Sequence, residues 1–171
     1  MAERTARLLT SHWRLAGSIE EVSAILRDVA ALPRWWGQVY LEAEEVAPGD
    51  DAGLGRQVRF LSRGWLPYTL RWEATVIAAD PPRGWTIAAS GDLTGEGRCR
   101  LAQDGEIADI RYDWRVDVEK PALKVMAPLL WPVYSANHRW AMARGREGLE
   151  REIRRRRAGV AAGGALSSPP S

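Results

Sequence analysis

Between Leu93 and Val118 charge and bulk alternate along two stretches of chain with hardly an exception. Side chains of a strand point to opposite faces in turn. Glu96, Arg98, Arg100, Asp109, Arg111, Asp113 and Arg115 therefore share one face. Gly95, Gly97, Cys99, Leu101, Ala108, Ile110, Tyr112 and Trp114 share the other. Asp104-Gly105 suits the positive φ of a two-residue hairpin turn. With that turn Gly97 faces Tyr112, Gly95 faces Trp114, Cys99 faces Ile110 and Arg100 meets Asp109, while Arg98 finds Asp113 on the diagonal. One face is wet and salt-laced. The other is apolar, with two glycines under two large aromatics, and it either packs a core or lines a hollow.

The same period of two recurs upstream. Leu8 to Leu15 alternates and reads as a strand. Ser18 with Glu21 three residues on forms a capping box, and Val22, Ile25, Leu26 and Val29 recur at helical spacing, predicting a helix to about Asp28. Ala31 to Gly37, containing Pro33, predicts a turn or a single helical turn. Strands follow at Val39–Ala43, Arg56–Leu61, Tyr68–Ala78 and Trp85–Ala89, ahead of the hairpin. One strand before the helix and six after it, joined by hairpin-length connections, predict an antiparallel sheet.

After Pro121 the period returns to helical. Pro128 and Pro132 predict a kink or a fresh helix between Ala122 and Val133. From Tyr134 to Arg157 no proline intervenes, and Tyr134, His138, Ala141, Met142, Gly145, Leu149 and Ile153 form one stripe. Glu147/Arg151, Glu150/Arg154 and Glu152/Arg156 stand in the favourable acid-before-base order. Arg154 to Arg157 resembles a nucleic-acid or membrane patch, but is better read as basic residues complementing a helix C-terminus. Residues 158–171, rich in Ala, Gly, Ser and Pro, predict a disordered tail, leaving 1–157 as a single domain.

Composition excludes several classes. The net charge is +2, with 24 basic and 22 acidic residues mixed along the chain, which argues against a nucleic-acid surface. One cysteine allows no internal disulfide, and two histidines argue against a zinc site; no metal or cofactor is implied. The N-terminus lacks an apolar signal region, and no run approaches the roughly 18 apolar residues of a spanning helix. A cytoplasmic protein with no integral membrane segment is expected. Nine tryptophans stand against one phenylalanine. Tryptophan combines a large apolar body with an N–H that needs a partner when buried, so these residues form either an unusual core or the wall of a cavity.

Such an order of elements sets the last helix against one face of a curved sheet. Gly145, Gly95 and Gly97 allow close approach in places, while Trp72, Tyr112, Trp114 and Tyr134 hold helix and sheet apart. A bent sheet cannot follow a straight helix throughout. A gap is expected at one end, lined by aromatics and a few polar groups, as small-molecule sites are.

Leu66-Pro67-Tyr68, Gly91-Asp92-Leu93-Thr94-Gly95, Tyr112-x-Trp114-x-Val116 and Asn137-His138-x-x-x-Met142-x-x-Gly145, in this order of elements, are the residues that carry a family likeness. From about Thr10 to Arg155 the chain resembles the polyketide cyclase/dehydrase-like branch of the START/Bet v 1-like (SRPBCC) superfamily. That resemblance implies an α+β helix-grip fold, with a seven-stranded curved antiparallel sheet wrapped around a long C-terminal helix and a deep hydrophobic cavity between them. Lipid and sterol carriers, hormone receptors and aromatic polyketide cyclases share this fold. They share no catalytic motif, so none is carried over.

The expected ligand-binding residues are Trp36, Trp65, Tyr68, Trp72, Tyr112, Trp114, Trp131, Tyr134, Asn137 and His138. His138, on the inner stripe, with Asn137 at its edge, suits a polar anchor or a general acid/base, or else a plain fastener of helix to strand. Tyr68, Tyr112 and Tyr134 could donate to an enolate or simply tie to backbone. His138, Tyr112 and Tyr68 are the catalytic candidates. Trp36, Trp65 and Trp131 would cover the mouth. Cys99 suits a buried thiol, and Asp50 with Asp51 a solvated turn. The chain is thus read as a binder of a hydrophobic or aromatic molecule of lipid- or polyketide-like kind. The alternatives are a cyclase/dehydratase-type enzyme using tyrosine and His138 for proton transfer, or an interaction module with exposed tryptophans.

Overall fold

The computed structural model describes residues 8–119 and 121–165. β1 (Leu8–Ala16) leads through Gly17 into α1 (Ile19–Arg27), where the Ser18 hydroxyl accepts the Glu21 N–H at 3.1 Å. Glu21 does not close a capping box; its carboxylate holds Arg157 of the last helix at 2.7 Å. A 3-10 turn at Val29–Ala31 and the short α2 (Leu32–Trp35) follow. Then come β2 (Tyr40–Ala47), β3 (Gln57–Arg63), β4 (Thr69–Asp80), β5 (Gly84–Gly91), β6 (Leu93–Asp104), β7 (Ile107–Val118) and α3 (Pro121–Ala165). The strands form one seven-stranded antiparallel sheet in the order β1-β7-β6-β5-β4-β3-β2. Both the fold class and the strand count are those expected from the sequence.

The hairpin register differs. Its turn is Gly105-Glu106, with Gly105 at φ 59°, and Asp104 lies opposite Ile107. Gly97 therefore faces Trp114, Cys99 faces Tyr112, and Arg98 faces Asp113 directly. A slip of two residues keeps every side chain on its expected face, because the pleat has period two. Two features favour this register. Glu96/Arg115 and Arg98/Asp113 become unlike pairs. Gln103 Nε2 also donates to the carbonyls of Gly17, Gly105 and Ile107 at 3.1, 2.9 and 3.2 Å, pinning the turn.

Helix α3 also corrects the expectation. It runs through Pro128 and Pro132 as one helix, so no new helix begins there. It runs to Ala165. Residues 166–171 of the expected tail lie outside the described residues. The basic run is therefore not at a helix end. Arg155 and Arg156 both hold Glu152, Arg156 reaches Asp28 at 2.7 Å, and Arg157 reaches Glu21. Of the three expected acid–base pairs only Glu152/Arg156 forms; Glu147 and Glu150 pair backwards to Arg144 and Arg146. Glu152 is 2% exposed, and hydrogen bonds from Arg155, Arg156 and Arg34 outweigh burial and hold its carboxyl below the usual carboxylate range.

This network binds the second half of α3 to α1 and α2. Met142, Leu149 and Ile153 are buried there, and Gly145 and Gly148 let Trp36 and Trp35 come against the helix backbone. Toward Tyr134 and His138 the helix is not filled in from below. The core sits under one half of α3, and a void sits under the other.

Candidate ligand site

The void holds about 350 Å³ between the sheet and the first half of α3. Trp36 from the end of α2, Tyr68, Leu70 and Trp72 from β4 and its approach, and Tyr112 and Trp114 from β7 supply its walls. Trp131, Tyr134, Asn137 and His138 close it from the helix side. Nine of the ten residues expected from the sequence thus line one chamber. The exception is Trp65, which sits 51% exposed on the β3–β4 loop and is not part of the wall. Its main-chain N–H donates to Asn137 Oδ1 at 2.9 Å, so the loop is tied to α3 while the indole faces outward.

The aromatic residues form a connected series. Trp36 stands edge-on to Trp13 and to Tyr40, at 5.7 and 5.0 Å between ring centres; Tyr40 meets Phe60, Phe60 meets Trp72, and Trp72 meets Trp114. Edge-to-face and tilted rings at these spacings are favourable arrangements. Two indole donors are satisfied within the wall: Trp36 donates to the Ala141 carbonyl at 3.0 Å and Trp72 to the Ser62 hydroxyl at 2.9 Å.

A second chamber of about 100 Å³ lies beyond Trp36, Tyr40, Trp72 and Tyr112, which border both spaces. Arg27 at the end of α1 and Arg56 before β3 stand in its wall, together with Trp85, Pro81 and the β2–β3 loop residues Ala52 and Gly53. Sequence reasoning missed this chamber. Strands supply much of its wall, but Arg27, Ala52, Gly53 and Arg56 come from a helix end and a loop, where strand alternation carries no signal. Arg63 and Asp117 at the larger chamber were missed as well. Their parity puts them on the outer face, but each stands at or beside a strand end.

The candidate chemical groups are set by burial. His138 has its pKa lowered to about 4, chiefly by burial and further by Arg139, so the imidazole is neutral at pH 7. Its Nε2 lies 3.4 Å from the Ser11 hydroxyl, and among the described residues no carboxylate pairs with it. A base so weak has little driving force to take a proton. Tyr68 is pushed up to about 12 by burial and then by Tyr134, and burial also raises Tyr112. These phenols remain protonated donors. Cys99 is buried and its thiol pKa is raised by burial, which makes it inert. Asp50 turns its own loop, accepting the Leu54 N–H at 2.8 Å.

No protein-family model and no curated protein matches this sequence. Solved structures do match. A protein from Thermus thermophilus superposes with a TM-score of 0.73 at 16% identity, covering 95% of this chain and 100% of its own. The Zhui aromatase/cyclase from Streptomyces sp. R1128 gives 0.64 at 16% identity, covering 88% and 94%. Norcoclaurine synthase from Thalictrum flavum, in complex with dopamine and hydroxybenzaldehyde, gives 0.57 at 15% identity, covering 86% of each chain. Among the described residues no helix is long and apolar enough to cross a membrane. With its curved seven-stranded sheet closed over a long C-terminal helix, this chain shares its helix-grip fold with these structures and with a START superfamily protein from Mycobacterium smegmatis, which superposes with a TM-score of 0.56 at 18% identity, covering 80% of this chain and 98% of its own.

Proposed function

We propose that this protein holds a hydrophobic or aromatic small molecule in the larger chamber. The observation that carries this reading is a void of about 350 Å³ whose wall includes eight aromatic residues and only a few polar groups. That size lies within the range of small-molecule sites, roughly 300–1,000 Å³. An unfilled space of this kind costs stability in a protein that has no use for it. Two structural neighbours are an aromatase/cyclase and a synthase solved with two aromatic compounds, which is in keeping with an aromatic guest.

A cyclase-type enzyme is the second reading, favoured by Tyr68, Tyr134 and His138 in one wall. Proton transfer at neutral pH needs a base nearer pH 7 than His138, so binding without turnover is preferred. Docking through tryptophans has less support, because Trp65 alone of the nine is an exposed large hydrophobic.

Native mass spectrometry of freshly purified protein, together with titration of tryptophan fluorescence by 1-anilinonaphthalene-8-sulfonate, tests the proposal. Quenching of the protein's emission with saturable binding is expected, and Leu70→Trp, which fills the chamber, should weaken it at least about tenfold. Unsaturable binding, or affinity unchanged in Leu70→Trp, would place the probe elsewhere and remove the reading. Conversion of a retained molecule to a new mass on incubation would favour the enzyme instead.

A further inference from the structure

We propose that the smaller chamber is a subsite for the carboxylate end of an amphiphilic guest, because it sets Arg27 and Arg56 together in an otherwise uncharged wall beyond an aromatic partition. The inference rests on the reading of the larger chamber as a ligand site and adds the chemical class of the ligand.

The charges of the two chambers differ. Arg27 and Arg56 are the charged residues in the wall of the smaller one, both positive. The wall of the larger chamber includes Arg63 and Asp117, one charge of each sign. Arg56 Nε lies 3.0 Å from the Glu45 carboxylate, and its Nη1 donates to the Arg27 carbonyl at 2.7 Å. Arg27 differs. Its Nη2 donates to the carbonyls of Ala52 at 3.0 Å and Asp51 at 3.4 Å, and among the described residues no carboxylate pairs with it. Carbonyl dipoles occupy a guanidinium without neutralising it. A guanidinium carries five N–H donors in a planar fork, and a carboxylate meeting that fork gains charge-assisted bonds about twice as strong as neutral ones. Aromatic and aliphatic walls keep the local dielectric low and strengthen that attraction.

Size and shape point the same way. At about 100 Å³ the smaller space is under a third of the larger, suited to an acid group and a short chain rather than a ring system. Trp36, Tyr40, Trp72 and Tyr112 border both spaces, so a guest with its rings in the larger chamber and its tail in the smaller one would pass between these rings. The structure therefore assigns the ligand an orientation: ring body under α3, carboxylate toward the end of α1.

A matched pair of probes tests this on the full chain: 4-(naphthalen-1-yl)butanoate and its uncharged carboxamide, titrated by calorimetry. The acid should bind about tenfold more tightly than the amide. Arg27→Gln should erase that preference by lowering the affinity of the acid to that of the amide. Arg27→Lys should retain part of it, and Arg63→Gln all of it. Equal affinity of acid and amide for the unaltered protein overturns the inference even if Arg27→Gln does not fold. Loss of the preference in Arg63→Gln, or its survival in Arg27→Gln, overturns it too. Equal binding leaves the hydrophobic site standing, whereas binding of neither probe removes both proposals.

Discussion

The Trp36 indole occupies the space that a side chain at position 145 would need, and its N–H bonds the Ala141 carbonyl one turn earlier in α3. Gly145 is thus where the helix comes down onto the wall of both chambers. In an exposed helix Gly→Ala gains about 1 kcal/mol from propensity. Here Gly145→Ala should lose about 1–3 kcal/mol, because the added methyl displaces the indole from a packed site. Urea unfolding measures the difference. A stabilised variant would mean that Trp36 has room to move away, and that the partition between the chambers is soft.

Gly97 plays the same part on the sheet. The ring of Trp114, directly across the ladder, covers it, and Ile87 lies beside it. Gly97→Leu should cost about 1–3 kcal/mol through overpacking. The register makes a sharper expectation: adding Trp114→Ala should relieve much of that cost, while adding Tyr112→Ala should not. A double-mutant cycle reads the coupling directly. Coupling to Tyr112 in place of Trp114 would restore the register built on an Asp104-Gly105 turn.

That register also marks how far the sequence was legible. Alternation alone put each hairpin residue on its proper face, and the stripe from Tyr134 to Ile153 named both the buried and the cavity-lining side of α3. The turn position carried no such certainty, because a slip of two leaves the faces unchanged. Charge held the missing information: Glu96/Arg115 and Arg98/Asp113 are unlike pairs only in the observed register. The larger chamber was readable because strands and a helix, which are periodic, supply most of its wall. The smaller one was not. Arg27 and Arg56 meet across a loop and a helix end, and only folding brings them together. Trp65 misled for a related reason, since its loop is fixed through backbone and leaves the indole outside.

His138 makes stability depend on pH with a definite sign. Its pKa is about 4 in the fold, against an ordinary value of 6.5. As pH falls through 6.5 the unfolded chain takes up this proton first, so it binds more protons than the fold until about pH 4. Stability therefore falls with pH across that window and is complete above it. Between pH 7 and pH 5 the loss due to this group should be about 2 kcal/mol. Unfolding of the protein and of His138→Gln at both pH values isolates it. Parallel losses in the two proteins would show that the imidazole is hydrated in the fold.

Asn137 was expected to face a ligand, yet its side-chain carbonyl is already engaged by the Trp65 N–H at 2.9 Å. Gly64 beside it lies so close that a Cβ would overlap the Asn137 amide. The loop carrying Gly64 and leading to Tyr68 borders the larger chamber, so Asn137 fastens part of its rim. Asn137→Ala removes the acceptor from a partly exposed bond and should cost only about 0.5–1.5 kcal/mol globally. Locally the effect should be larger. The Trp65 amide should exchange with deuterium faster in Asn137→Ala, the central strands should keep their protection, and Asn137→Asp, which retains an acceptor, should stay near the unaltered protein. Unchanged Trp65 protection in Asn137→Ala would release this amide from the loop and return it to the ligand, as an anchor facing the rings of the guest.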